Sequence, residues 1–454
     1  MKIDQSWMKN TAIVIAAAFS MSSFDASAQE QPTAVLFANV RIFDGKNAEL
    51  SGASNVIVRG DRIEEISVDP IPTDRSANTK IINGGGRTLM PGLIDNHAHM
   101  AMSVIPLALA LTADTNYTML RQGKAAGEML LRGFTSVRDV AGPSFGLKRA
   151  IDEDVLPGPR IWPSGAAISQ TSGHGDYRSS QDLPRMPGDP AHLTERRGFA
   201  ALADGVPEVL RRTREQLMLG ASHIKIMAGG GVSSSYDPLD VRQFTEDEMR
   251  AAVDAADAWN TYVTVHAYTP KALQQAIRAG VKCIEHAQLM DEATAKLMAD
   301  KGIWLSLQPF LDDEDAVPFP EGSESRKKQL QMVAGTDTAY KLAKQYKIKT
   351  AFGTDTLFDA KLASRQGAQL AKLTKWYTPA EVLAMATGTN GDLLALSGPR
   401  SPYLGKIGVV EEGALADLLL VDGDPIADIN LIADPAKNFL VIMKDGKIYK
   451  NTVP

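Results

Sequence analysis

From about residue 92 to residue 353 the chain alternates short apolar runs with stretches of helical periodicity, and that alternation leaves very few folds open. Eight runs read as strands, at residues 92–98, 135–140, 160–166, 223–227, 262–267, 282–286, 303–308 and 349–353. Most intervals between them read as helices. Residues 270–279 carry apolar positions at Leu273, Ala276 and Ile277, and Pro270 opens the segment where its missing N–H is harmless. Residues 246–259 and 291–299 follow the same pattern. Eight strand–helix units predict an α/β protein built as a (β/α)8 barrel. A doubly wound sheet would need fewer strands and a nucleotide loop. Gly229-Gly230-Gly231 follows a strand but lacks the G-x-G-x-x-G spacing.

Both flanks lack helical periodicity. Val56-Ile57-Val58 and Arg62-Ile63-Glu64-Glu65-Ile66 surround Arg59-Gly60-Asp61, a hairpin signal. Val441-Ile442-Met443 and Lys447-Ile448-Tyr449 surround Lys444-Asp445-Gly446 in the same way. Neither flank can bury a core alone, so residues 29–88 and 402–454 are expected to form one composite β-domain beside a barrel domain of residues 89–401. The 454 residues are 44% hydrophobic, enough for a sizeable core. The net charge is −6 with no basic block, which excludes nucleic acid and leaves a small molecule as partner.

At the N-terminus, Lys2 and Lys9 precede an apolar run at residues 11–19 and then Ala26-Ser27-Ala28. This reads as a secretory signal, residues 1–28. The run is shorter than the roughly 20 residues of a membrane span, so no span is expected in the mature chain. For a Gram-negative source the destination is the periplasm. Cys283 is the only cysteine, so no intrachain disulfide can form.

Candidate site residues cluster at the ends of the predicted strands. His97 and His99 are two apart, and period two puts both on one face, which in a barrel is the interior. A pair of imidazoles at a strand's C-terminal end is a ready metal claw. His266 closes the fifth strand, His286 the sixth and Asp355 the eighth. A carboxylate ending an apolar strand is costly unless paired or metal-bound. Lys225 lies mid-strand in Ile224-Lys225-Ile226-Met227. It is either half of a buried ion pair with Asp355, or an amine whose pKa burial lowers until it captures carbon dioxide as a carbamate. Residues 169–207, rich in Gly, Pro and Arg, are expected to form a loop over the site. Arg178 within them is a candidate carboxylate anchor, because guanidinium grips a carboxylate at two points. Asp95 and Asp139 read as barrel braces, His223 and Cys283 as core, and Arg138 as either a brace or a substrate anchor.

With these residues placed, the chain resembles the amidohydrolase superfamily. The motifs are Pro91-Gly92-Leu93-Ile94-Asp95-Asn96-His97-Ala98-His99, Ile224-Lys225-Ile226, Val265-His266-Ala267, Ile284-Glu285-His286-Ala287 and Gly353-Thr354-Asp355, with Gly413-Ala414-Leu415-Ala416-Asp417-Leu418 near the C-terminus. The resemblance implies a distorted (β/α)8 barrel with a small composite β-sandwich. It implies two zinc ions: one on His97, His99, carbamylated Lys225 and Asp355, the other on the carbamate, His266 and His286. The chain is most similar to the branch of imidazolonepropionase-like amidohydrolases and Xaa-Pro dipeptidases, with relatives that cleave ochratoxin-type amides. That implies hydrolysis of dipeptides or N-acyl amino acids bearing a free carboxylate, and relatives imply a ring-like homo-oligomer. By the same resemblance His174, in Thr171-Ser172-Gly173-His174-Gly175-Asp176, and Tyr236 would contact the substrate carbonyl or carboxylate. Ala228 stands where many relatives carry a polar residue.

Two ions sharing one water would bring its pKa near neutrality, and Asp355 would take its proton and pass it to the leaving amine. The metal set alone also suits a cyclic-amide hydrolase or lactonase. A mononuclear deaminase would not need Lys225. A non-catalytic secreted scaffold on the same barrel would be expected to lack one or more of these six residues.

Overall fold

The eight barrel strands form where the apolar runs place them. They are β1 (Leu93–Ala98), β2 (Phe134–Asp139), β3 (Arg160–Pro163), β4 (Ile224–Met227), β5 (Val263–Ala267), β6 (Cys283–His286), β7 (Trp304–Leu307) and β8 (Thr350–Phe352). Every residue in them is buried, as parallel strands covered on both faces must be. This computed structural model describes residues 34–73, 78–184, 186 and 188–453; the expected signal segment lies outside them.

The barrel is distorted. β1, β2 and β3 form one parallel sheet, and β4 to β8 form another in sequence order. The third predicted strand breaks after Pro163, and the chain re-enters the larger sheet as Ala167–Ser169. Beside it runs Ala200–Leu202, a strand inside the segment read as loop. Two seams join the sheets. The Ser222 N–H donates to the Pro163 carbonyl at 2.8 Å, and the Asp355 N–H donates to the His97 carbonyl at 2.8 Å. The second seam depends on Gly353, where a Cβ would sit 2.4 Å from His97 Cβ.

Helices occupy the intervals. Pro270–Ala279 forms over the predicted range and ends at Gly280. Glu246–Asp257 starts from a capping box between Thr245 and Glu248, which satisfies two end donors reciprocally. Among the described residues no helix is long and apolar enough to cross a membrane.

The chain ends share one mixed sheet of eight strands. Its centre is the antiparallel pair Thr88–Pro91 and Leu418–Val421, with Met90 opposite Leu419. Val35, Phe37, Val56 and Ile63 from one flank pack with Leu418, Val441 and Met443 from the other. Arg160 of β3 ties this sheet to the barrel through Asp417, 3.1 Å away.

Candidate metal centre

Period two points Arg138 of β2 and Glu285 of β6 into the barrel, where both are fully buried. Arg138 Nη2 donates to Glu285 Oε1 at 2.5 Å, its Nε to the Asn96 carbonyl at 2.8 Å and its Nη1 to the Tyr262 hydroxyl at 3.2 Å. Burial alone would raise the Glu285 carboxyl, but the charges of Arg138 and His97 hold it well below the usual carboxylate range. Its Oε2 lies 2.9 Å from His97 Nδ1. Arg138 is therefore a brace, and the Glu285 carboxylate lies beside His97 Nδ1 as a paired charge, with Gln308 Nε2 3.1 Å from the same nitrogen. Asp95 accepts the N–H groups of His97 and Thr354, both at 3.0 Å, and so braces β1 against the turn after β8.

Above this layer His97, His286 and Asp355 each bring one ligand atom to within 4.8 Å of the others. Asp355 Oδ1 is 3.3 Å from His97 Nε2 and 2.9 Å from His99 Nε2. Burial would raise the Asp355 carboxyl, yet the surrounding imidazoles hold it well below its ordinary value, so it stays ionised. His286 and Asp355 both have left-handed backbone, with φ of 80° and 49°. That conformation is uncommon outside glycine and concentrates at functional sites. His286 Nδ1 is buried without a hydrogen-bond partner among the described residues, a state that costs free energy. Two imidazoles and a carboxylate with an open fourth position suit a catalytic divalent ion.

The expected pair of zinc ions bridged by a carbamylated Lys225 is not what this site offers. Among the described residues one group of histidine and carboxylate side chains converges, and Lys225 does not belong to it. His266, expected on the second ion, has its Nε2 3.0 Å from the Gly230 carbonyl oxygen, and His99, expected on the first, has its Nε2 2.9 Å from Asp355 Oδ1. Lys225 is a buried amine on the cavity floor. Desolvation lowers its pKa to about 8 against the opposing pull of Glu285 and Asp355.

The sequence pattern of the amidohydrolase family matches residues 88–449. The chain belongs to that family. The ochratoxinase of Aspergillus niger is 32% identical over 374 residues, 80% of this chain and 75% of that protein. The crystal structure of a prolidase complexed with N-methylphosphonate-L-proline is 34% identical, with a TM-score of 0.83 over 92% of this chain and 100% of that one. A Xaa-Pro dipeptidase with methionine bound in its active site is 27% identical, with a TM-score of 0.78 over 92% of this chain and 100% of that one. As an amidohydrolase the protein is a metal-dependent hydrolase of amide-type bonds.

The metal group of this amidohydrolase lies at the floor of a cavity of about 340 Å³. Met102, Phe199, Met227 and Val232 contribute to its apolar walls, as do Phe310, Phe319, Leu357 and Phe358. His174 lines it as well. Tyr236 is 47% exposed and lies outside the lining. Arg178 also lies outside, gripping Asp176 at 2.8 Å and 2.6 Å. Among the described residues Lys225 is the one lysine or arginine in the lining, and Ala228 does not reach it. Two tyrosines do that sequence reasoning passed over, Tyr177 and Tyr268. Tyr268 shares the parity of His266, a signal that could have found it; nothing in the sequence distinguishes Tyr177 from its charged neighbour. Burial pushes Tyr177 up to about 12 and Tyr268 well above the usual phenol range, so both remain hydroxyl donors.

Proposed function

We propose that this amidohydrolase cleaves dipeptides or N-acyl amino acids carrying a large apolar group beside the scissile amide, with zinc on His97, His286 and Asp355. The observation that carries the reading is the convergence of those three side chains at the floor of an apolar cavity. The names of similar proteins, an ochratoxinase, a prolidase and a Xaa-Pro dipeptidase, support an amide next to a free carboxylate. Among the described residues no guanidinium lines the cavity, and the hydroxyls of Tyr177 and Ser233 there would donate to that carboxylate.

When bound, the ion supplies Lewis acidity to the water and the carbonyl. The remaining work belongs to the side chains. Asp355 accepts a proton as the water oxygen bonds to the carbonyl carbon. It returns that proton to the nitrogen as the C–N bond breaks, acting as base and then acid. The Glu285 carboxylate lies beside His97 Nδ1 as a paired charge, and the apolar walls keep bulk water from the reacting amide. His174 faces the substrate carbonyl from the cavity wall.

A library of dipeptides and N-acyl amino acids graded in apolar size, read by released amine, tests the proposal. Release should favour large apolar members and vanish on chelation and in His286→Gln. No release across the library, or release indifferent to both treatments, would overturn it.

A further inference from the structure

Gly229-Gly230-Gly231 lacks the spacing of a nucleotide loop, and the metal group does not account for it. Gly231 lies against the His174 ring: a Cβ there would fall 2.0 Å from Nδ1 and 2.1 Å from Cε1. The same ring stacks on His266, with centroids 4.2 Å apart and planes 19° from parallel. Only glycine lets the ring and this loop approach so closely.

His174 Nδ1 lies 3.2 Å from Asp237 Oδ2 and 2.5 Å from Ser234 Oγ. Asp237 is buried, and Oδ2 also accepts the Gly231 N–H at 2.7 Å. Lys328, on helix Glu324–Gln345, donates to the carbonyls of Gly231, Ser234 and Asp237 at 3.0, 2.9 and 2.9 Å. Its Nζ is also 3.8 Å from Asp237 Oδ1. The turn that carries Asp237 is thus fastened to a long helix. Among the described residues no partner meets His174 Nε2, on a ring that lines the cavity.

We propose that Asp237 is a positioning residue that holds His174 with its Nδ1 protonated and its Nε2 turned to the substrate. An ionised carboxylate can only accept, so the nitrogen facing it carries the hydrogen. Ser234 also bonds to Asp237, so its own hydrogen goes to the carboxylate and its oxygen is free to accept from Nδ1. In amide hydrolysis, Nε2–H of the imidazolium donates to the carbonyl oxygen as negative charge gathers there, and Asp237 balances the ring's charge. What Nε2 touches rests on the proposed amide chemistry; the Asp237–His174 pairing does not.

The test uses the metal-loaded enzyme labelled with 15N-histidine, His174 being assigned by the signals lost in His174→Gln. Wild type should show a protonated Nδ1, and Asp237→Asn should lose that state. On the best amide found, Asp237→Asn should lower kcat roughly 10–100-fold with KM nearly unchanged, and Asp237→Glu should recover part of the loss. An unprotonated Nδ1 in the wild type would overturn the pairing. A normal kcat in Asp237→Asn would overturn the positioning role while leaving the hydrolase reading intact. If no amide is cleaved, the functional reading fails and the nitrogen signals still decide the pairing. Should Asp237→Asn fold poorly, Ser234→Ala carries the same measurements with smaller losses expected.

Discussion

The backbone N–H of Asp355 donates to the carbonyl oxygen of His97 at 2.8 Å, joining the end of the last barrel strand to the first. The same step brings the Asp355 carboxylate to within 3.3 Å of His97 Nε2. The metal group is therefore a product of barrel closure. Gly353 permits the approach, and the left-handed backbone of Asp355 turns its side chain inward.

Asp355→Asn separates chemistry from closure. Asparagine tolerates left-handed backbone and keeps the amide bond to His97. It cannot take up a proton. We expect kcat to fall roughly 10²–10⁴-fold, with circular dichroism and the thermal midpoint of the metal-free protein close to wild type. A loss under threefold would remove Asp355 from the proton-transfer role.

Metal binding should be visible without any substrate. An ion that binds only the folded chain adds about 2.7 kcal/mol of stability at a hundredfold excess over its Kd. Adding zinc to chelated wild type should raise the thermal midpoint, and His97→Gln and His286→Gln should lose most of that rise. Equal responses in all three proteins would place the ion elsewhere.

The barrel is legible in the sequence because its strands are buried on both faces and spaced by helices that begin at recognisable caps. The break after Pro163 is not, since Ala167–Ser169 continues the same apolar run into another sheet. Ala200–Leu202 is too short to show a period among its Gly, Pro and Arg neighbours. His97, His286 and Asp355 stand out as polar ends of apolar strands. Glu285 hides in the same run as His286, and its partner Arg138 lies on a different strand, so the pair appears only when the barrel closes. The second ion fails for a similar reason: His266 is visible, but the Gly230 carbonyl beside it belongs to a loop. Arg178 reads as a carboxylate anchor for substrate, yet Asp176 two residues away accepts from its Nε and Nη2.

The walls of the cavity should set selectivity. Phe310 lines the cavity, with its ring centroid 6.4 Å from that of His286. Phe310→Ala removes apolar contact from a substrate's bulky group and leaves all three side chains of the metal group in place. We expect kcat/KM to drop roughly tenfold for large apolar substrates and to change little for alanine-sized ones. A uniform drop across sizes would mean that Phe310 supports the site and does not select.

Acid should destabilise the metal-free protein through its buried imidazoles. Desolvation lowers His97 to about 4, and it lowers His266 and His286 well below 6.5. In the unfolded chain all three titrate near 6.5. Between the folded and unfolded values the unfolded state binds more protons, so stability is present above about 6.5 and is lost as pH falls below it. Asp139, raised to about 6 by burial, works in the opposite sense, because the folded state holds its extra proton there. A variant that lacks one imidazole and keeps Asp139 isolates the histidine contribution. In urea unfolding of metal-free protein between pH 6 and pH 4, wild type should lose about 1.4 kcal/mol more per pH unit than His266→Gln, the slope of one proton. Parallel stability curves would show that His266 keeps its proton affinity inside the fold, which its burial beside His174 and His286 argues against.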